Sequence, residues 1–337
     1  MSIFSNKNVF ETDDIVACEG YDITLGGHYN AIMESYDDDL AVIEAMHAFD
    51  MAEMEAMKES GSEIVSTPLM EASAKEIWDK IKKFFKNLWS KIVAFFQSAI
   101  DYVSSLVMSG TAFAKKYEER LSKLNLNGFT YEMYEYNFES IYAKDISELS
   151  KYQEEVTKSI AKVSEIDISK DNFNELVSRY SDGIESIRNK IPHDIVKKLT
   201  GETNPEKFNE ALANKFRSGG KKKSLKITDL SKYIKFLKSS NGLIQHIKNT
   251  KDGVNKVFKE IDQAINKAAN EAAKAGEGAT TQRSAKKASL IRSLSGSCSI
   301  VQTYTTRYIN AWSSVVKEAT STYKNLCFKA LSYKPAK

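Results

Sequence analysis

The sequence predicts an all-α protein, a multi-helix bundle, and three observations carry that expectation. Proline is scarce, with four residues in 337, and glycine contributes only 15, so long helical runs meet few breakers. Apolar residues make up 42% of the chain, enough to pack a core and to exclude global disorder. Within the long runs, apolar residues recur at spacings of three and four, the period of a helix rather than of a strand.

From the N-terminus, residues 1–27 read as irregular, with Gly20, Gly26 and Gly27. Residues 28–59 set Ile32, Met33, Leu40, Ile43, Met46, Met54 and Met57 among many acids, the pattern of an acidic amphipathic helix. The run from Gly61 to Pro68 breaks it. The clearest helix follows at about 72–108. There Ile77, Ile81, Phe84, Phe85, Leu88, Ile92, Phe95, Phe96, Ala99, Val103 and Leu106 form one wide stripe. Trp78 and Trp89 stand at the edges of the stripe, and Lys75, Lys80, Lys82, Lys83, Lys86 and Lys91 crowd its first half. Gly110 marks an expected break or bend. The helix resumes to about Leu124, and Asn127-Gly128 is a stop signal.

Residues 129–142, FTYEMYEYNFESIY, are dense in aromatics, and both a short strand segment and a helix fit them. Helices are expected at 145–165 and 171–190. Pro192 opens another short helix, and Asn204-Pro205 opens the next, which ends near Arg217. Residues 218–223 read as a basic loop. Two or three helices span 228–274, with Gly242 and Gly253 as candidate breaks. A loop at 275–280 precedes a last long helix from about 282 to 331, which contains Gly296. The chain shows no fixed-period repeat and no sustained heptads. The expected division is an acidic, partly helical segment at 1–71, an amphipathic Lys/aromatic region at 72–128, and a basic helical body at 129–337.

The formal net charge of +3 conceals a division along the chain. Residues 1–71 hold two lysines, Lys7 and Lys58, against 16 acidic residues, a net −14. Residues 72–337 hold 46 Lys and Arg against 29 acidic residues, a net +17. The two parts attract one another, and the basic part suits a polyanion or an anionic membrane surface.

Catalytic and cofactor chemistry finds little support. His28, His47, His193 and His246 have no metal-ligand spacing with one another or with Cys18, Cys298 and Cys327. The sparse, odd cysteine count fits neither a disulfide framework nor zinc, and suits a reducing compartment. No secretory signal pattern opens the chain. Gly219-Gly220-Lys221-Lys222-Lys223-Ser224 lacks the glycine spacing and preceding strand of a phosphate loop. Asp37-Asp38-Asp39 lacks the spaced ligands and turn glycine of a calcium loop. No enzyme is expected, and neither a cofactor nor a metal.

Two features point to function. The first is the basic run Arg217, Lys221, Lys222, Lys223 and Lys226, five cations within ten residues around a glycine pair, a candidate contact for nucleic-acid phosphates. With no base-reading motif, binding would be independent of sequence. The second is Leu69-Met70-Glu71-Ala72, in a breaker-rich stretch where the charge changes sign. Ile32-Met33-Glu34-Ser35 has the same form, and Val42-Ile43-Glu44-Ala45 is a looser version.

This motif resembles the site read by prohead proteases of large tailed bacteriophages: Leu or Ile, any residue, Glu, then a cut before a small residue. The layout, an acidic removable segment before a basic body, resembles that of internal head proteins of these phages. The resemblance implies a precursor processed by a prohead protease after Glu71, with a second candidate cut between Glu34 and Ser35. It also implies a product held with packaged double-stranded DNA beside capsid or scaffold proteins, in the virion interior after passage through the host cytoplasm.

Two other readings stand beside it. The cationic amphipathic helix at 72–108 suits a membrane-active or ejected protein, with its lysines at the headgroups. A spanning helix is disfavoured there, because Ile92–Met108 covers 17 residues and includes Gln97 and Asp101. A helical scaffold or interaction protein, its charge division ordering assembly, is the second alternative.

Overall fold

The apolar stripe after residue 72 becomes one unbroken helix, α1 (Ala74–Ser122), in a computed structural model that describes residues 74–142, 146–218, 221–274 and 279–335. The helix expected at 28–59 and both candidate cleavage sites lie outside the described residues. Ile92, Phe95, Phe96, Ala99, Val103, Leu106, Ala114 and Leu121 are buried along one face of α1, whereas Lys83, Lys86 and Lys91 are exposed. Trp78 is buried rather than at the edge of the stripe, and Trp89 is half-buried, stacked on Phe258 with ring centroids 5.7 Å apart.

The expected break at Gly110 is absent, and its role is close approach. A Cβ there would sit 3.1 Å from the carbonyl oxygen of Leu237, on a neighbouring helix. The adjacent Thr111 hydroxyl donates to that same oxygen at 3.3 Å. The stop at Asn127-Gly128 is real: Gly128 takes φ +77, the left-handed region that glycine enters at little cost. It leads into β1 (Thr130–Met133), so the aromatic stretch divides into a strand and the short helix α2 (Phe138–Tyr142).

Then follow α3 (Ile146–Ser164) and α4 (Phe173–Thr200). Pro192 does not open a helix; it lies inside α4. A proline there removes one backbone donor at a cost of up to ~3 kcal/mol. Burial of Ile184, Ile191, Ile195, Val196 and Leu199 on the same helix offsets that cost. Asn204 accepts from the Glu206 amide at 3.0 Å and starts a 3-10 turn, Pro205–Lys207, that runs into α5 (Phe208–Phe216). The segment read as a basic loop ends in a strand, β2 (Lys223–Lys226). Two helices, α6 (Ser231–Lys238) and α7 (Ser240–Lys274), occupy the next stretch, and Gly253 interrupts neither. The last helix, α8 (Ala279–Ser332), is 54 residues long and runs through Gly296.

α8 is the axis of the bundle. α1, α3, α4, α5, α6 and α7 all pack on it, and α1 and α3 also flank α7. The Trp312 indole of α8 donates to the Ile141 carbonyl of α2 at 2.7 Å. Much of α8 is buried although it is rich in Ser and Thr. Its hydroxyls donate to carbonyls one turn back: Ser295 to Ile291, Thr303 to Ser299, Thr305 to Val301 and Thr320 to Val316, at 2.5–2.9 Å. Polar groups satisfied within their own helix can be buried on any side of it. Lys287, only 2% exposed, donates from Nζ to the Ile166 carbonyl and to Glu271, both at 2.7 Å, and so ties α8 to α7 and to the end of α3.

Cys298 and Cys327 are unbridged and buried on α8, and burial pushes both thiols up to about 12. In a Cys18→Ser chain at pH 8, both should therefore resist a disulfide-exchange reagent until the protein is unfolded. Two of the mid-helix glycines, Gly110 and Gly253, should respond with opposite signs. Gly253→Ala, whose Cβ meets only the Ser150 hydroxyl at 3.8 Å, should stabilise by up to ~1 kcal/mol. Gly110→Ala should destabilise, because the Leu237 backbone stands in the way, and urea midpoints read both changes.

Candidate functional site

The basic run is built on a two-stranded antiparallel ribbon. Thr130 pairs with Lys226, Tyr131 with Leu225, Glu132 with Ser224 and Met133 with Lys223. The pairing extends past the strands through a bridge between Tyr136 and Arg217. The Ser218 amide donates to the Glu135 carbonyl at 2.6 Å, and the Asn137 amide to the Phe216 carbonyl at 2.8 Å. Alternation puts Met133 in the core, with Tyr131 and Leu225 partly buried, while Thr130, Glu132, Ser224 and Lys226 are exposed.

The five cations are not equivalent. Arg217 reaches back to α8, its Nη2 2.6 Å and its Nε 2.8 Å from Glu318 Oε2, with both side chains less than a third exposed. Its guanidinium also lies 4.9 Å from the centroid of the Tyr134 ring. Lys222 approaches the same ring at 5.6 Å, so Tyr134 is held by two cations. Lys223 lies 3.8 Å from Glu135, a pair about half exposed. Lys221 and Lys226 are exposed. Because Lys223 and Lys226 are three residues apart on a strand, they project from opposite faces of the ribbon. Behind the ribbon, burial raises the Tyr136 phenol to about 12, and its hydroxyl is 3.4 Å from that of Thr322. Lys329 lies 5.2 Å from the Tyr131 ring and adds a cation from the end of α8.

The chain thus holds the ribbon by Arg217 and the aromatics and leaves the lysines exposed, Lys223 and Lys226 on opposite faces. Tyr134, Glu135 and Glu318 were not legible as parts of this site. Their partners lie some 80–100 residues away in the chain, and no local pattern marks them.

α1 contains a stretch, Phe85–Ser122, that is long and apolar enough by length and composition to cross a membrane, contrary to the expectation from Ile92–Met108 alone. More than half of its most apolar window is buried inside the bundle, as in a core helix. Among the described residues no three His, Cys, Asp or Glu side chains gather as metal ligands. The loose cleavage pattern recurs in the body at Val316-Lys317-Glu318-Ala319. It lies within α8, where Val316 and Ala319 are buried and Glu318 is held by Arg217.

A model of the phiKZ-like phage internal head proteins matches residues 30–227, more than half of the chain. The matched span begins just before Ile32, crosses Glu71, and ends one residue after β2. No curated protein and no solved structure matches the chain.

Arg217 and Lys221 should separate in mutation. Arg217→Ala removes an ion pair, a ring interaction and an anchor of the ribbon, and should cost about 1–2 kcal/mol in urea unfolding. Lys221→Ala should leave the midpoint unchanged.

Proposed function

Since the chain belongs to the phiKZ-like phage internal head proteins, we propose that it is made as a precursor, cut after Glu71 inside the prohead, and kept with the packaged genome as a basic product. It is a structural component of a phage virion and lies inside the capsid. The observation that carries the finer reading is the coincidence at Leu69-Met70-Glu71-Ala72. A site of the prohead-protease type stands where net −14 gives way to net +17, within the span that the family model covers.

The cut changes the electrostatics of one molecule. The attached acidic segment screens the basic body while the head is still empty. Its removal leaves a polycation that binds packaged DNA by releasing condensed counterions, without reading bases. Lys221, Lys222, Lys223 and Lys226 are the proposed phosphate contacts of the ribbon, with Arg217 fixing the strand that presents them. The protease, the DNA and neighbouring capsid proteins are the proposed partners. The folded body itself is spared, because a helix must open before its backbone can enter a protease and the match at Val316–Ala319 is locked in α8.

Protein taken from mature particles should begin at Ala72, and Glu71→Gln should leave the precursor uncut by the cognate protease. Intact peptides spanning residues 60–80 from mature particles would remove the processing step. The cut product should bind generic duplex DNA more tightly than the precursor, with affinity falling steeply with salt. Changing Lys221, Lys222 and Lys223 to Ala should flatten the slope of log affinity against log salt by about 0.9 for each phosphate that these lysines neutralise. An unchanged slope would place the DNA surface elsewhere on the body.

A further inference from the structure

A groove of about 710 Å³ lies between the first half of α1 and the middle of α7. Its apolar wall is Phe85, Trp89 and Val93 of α1 with Phe258 of α7, and Lys82 and Lys86 border it. The Trp89 ring is fixed there by stacking on Phe258 and by a 3.3 Å hydrogen bond from its Nε1 to Asn255. Asp262 is the acid among the lining residues, and it accepts from the Asn266 amide at 3.0 Å. The groove thus has the form that takes an amphipathic segment: aromatic and aliphatic walls for its apolar face, and cations for acids at its margin.

We propose that the occupant is this chain's own acidic segment, residues 28–59, docked with Leu40, Ile43 and Met46 against Phe85, Trp89, Val93 and Phe258 and with its carboxylates at Lys82 and Lys86. Charge complementarity favours it, because the segment belongs to the part of the chain with net −14 and the rim is cationic. Methionine is a flexible gap-filler that adapts to an irregular groove, and this segment contains Met33, Met46, Met51, Met54 and Met57. Reach favours it too. Residues 60–73 can span roughly 45 Å when extended, whereas Trp89 lies only about 22 Å along α1 from Ala74. The tether makes docking intramolecular, at an effective concentration in the millimolar range. A cut after Glu71 removes the tether, so the segment leaves and the cationic groove is uncovered. This last consequence rests on the processing proposed above; the docking itself does not.

The test uses the full-length precursor at low concentration, with no DNA or protease, and a carbodiimide that joins amines directly to neighbouring carboxylates. Lys82 or Lys86 should be found joined to acids between Glu34 and Glu59, within one chain when isotopically light and heavy protein are mixed. The double variant Leu40→Asp, Ile43→Asp keeps the segment acidic while spoiling its apolar face, and should lose these cross-links. Cross-links from Lys82 and Lys86 only to Asp79 or Asp262, or only between two chains, would overturn the proposal. Persistence of the within-chain cross-links in the double variant would also overturn it, by showing attraction without docking. Because neither DNA nor protease takes part, failure here leaves the cut after Glu71 and the DNA contact to their own tests.

Discussion

The bundle depends on α8, a buried axis that bonds several of its hydroxyls within its own turns, while Ser297, Gln302 and Ser313 keep buried polar atoms with no hydrogen-bond partner among the described residues. A helix surrounded by six others would ordinarily need apolar side chains on every side, since a buried polar group without a partner costs on the order of 1–3 kcal/mol. α8 instead carries Ser295, Thr303, Thr305 and Thr320 in buried positions, each bonded to a carbonyl of its own preceding turn. These short side chains add little bulk, so the surrounding helices can come close. The large residues Tyr308, Trp312 and Tyr323 then fill the wider gaps. The ribbon, through Arg217 and Glu318, and the Lys287–Glu271 tie take their positions from this axis.

Periodicity made the fold class and the long helices legible, because α1 and α8 follow long runs with few breakers. The misread positions were those where tertiary contact overrides local preference. Gly110 reads as a bend, yet it is a close approach to Leu237 that only the folded chain reveals. Pro192 reads as a boundary, yet buried neighbours carry α4 through it. β2 is too short and too rich in lysine to signal a strand. It exists because β1, some 90 residues earlier, supplies the hydrogen-bonding partner. The same reasoning explains the candidate site. The cations were legible as a cluster in the sequence, but their division into an anchoring Arg217 and outward lysines depends on Glu318 and Tyr134, which nothing local identifies.

Charge therefore does two kinds of work in this chain. Some cations are internal fasteners: Lys287 beneath the surface, Arg217 at the ribbon, and Lys238, whose ammonium is 2.8 Å from Glu118 and clamps α6 to α1. Others, such as Lys83, Lys86, Lys91, Lys221 and Lys226, are exposed and set the field around the molecule. Net charge alone does not distinguish the two groups. A bare count of cations overstates the positive charge available to a polyanion, whereas the net charge already sets each paired cation against its acid.

The position of the axis in the chain governs the order of folding during synthesis. Ribosomes deliver α1 to α7 before α8, so the helices that surround the axis emerge before there is anything for them to surround. Contacts between α1 and α8 join residues some 200 positions apart, and closing loops of that length is slow. For that interval α1 can meet α6 and α7 but lacks its partner on the axis, and incompletely packed chains tend to associate with one another. The acidic segment is translated before α1. Its negative charge is thus already in place when the lysines of α1 emerge, long before the last helix closes the bundle.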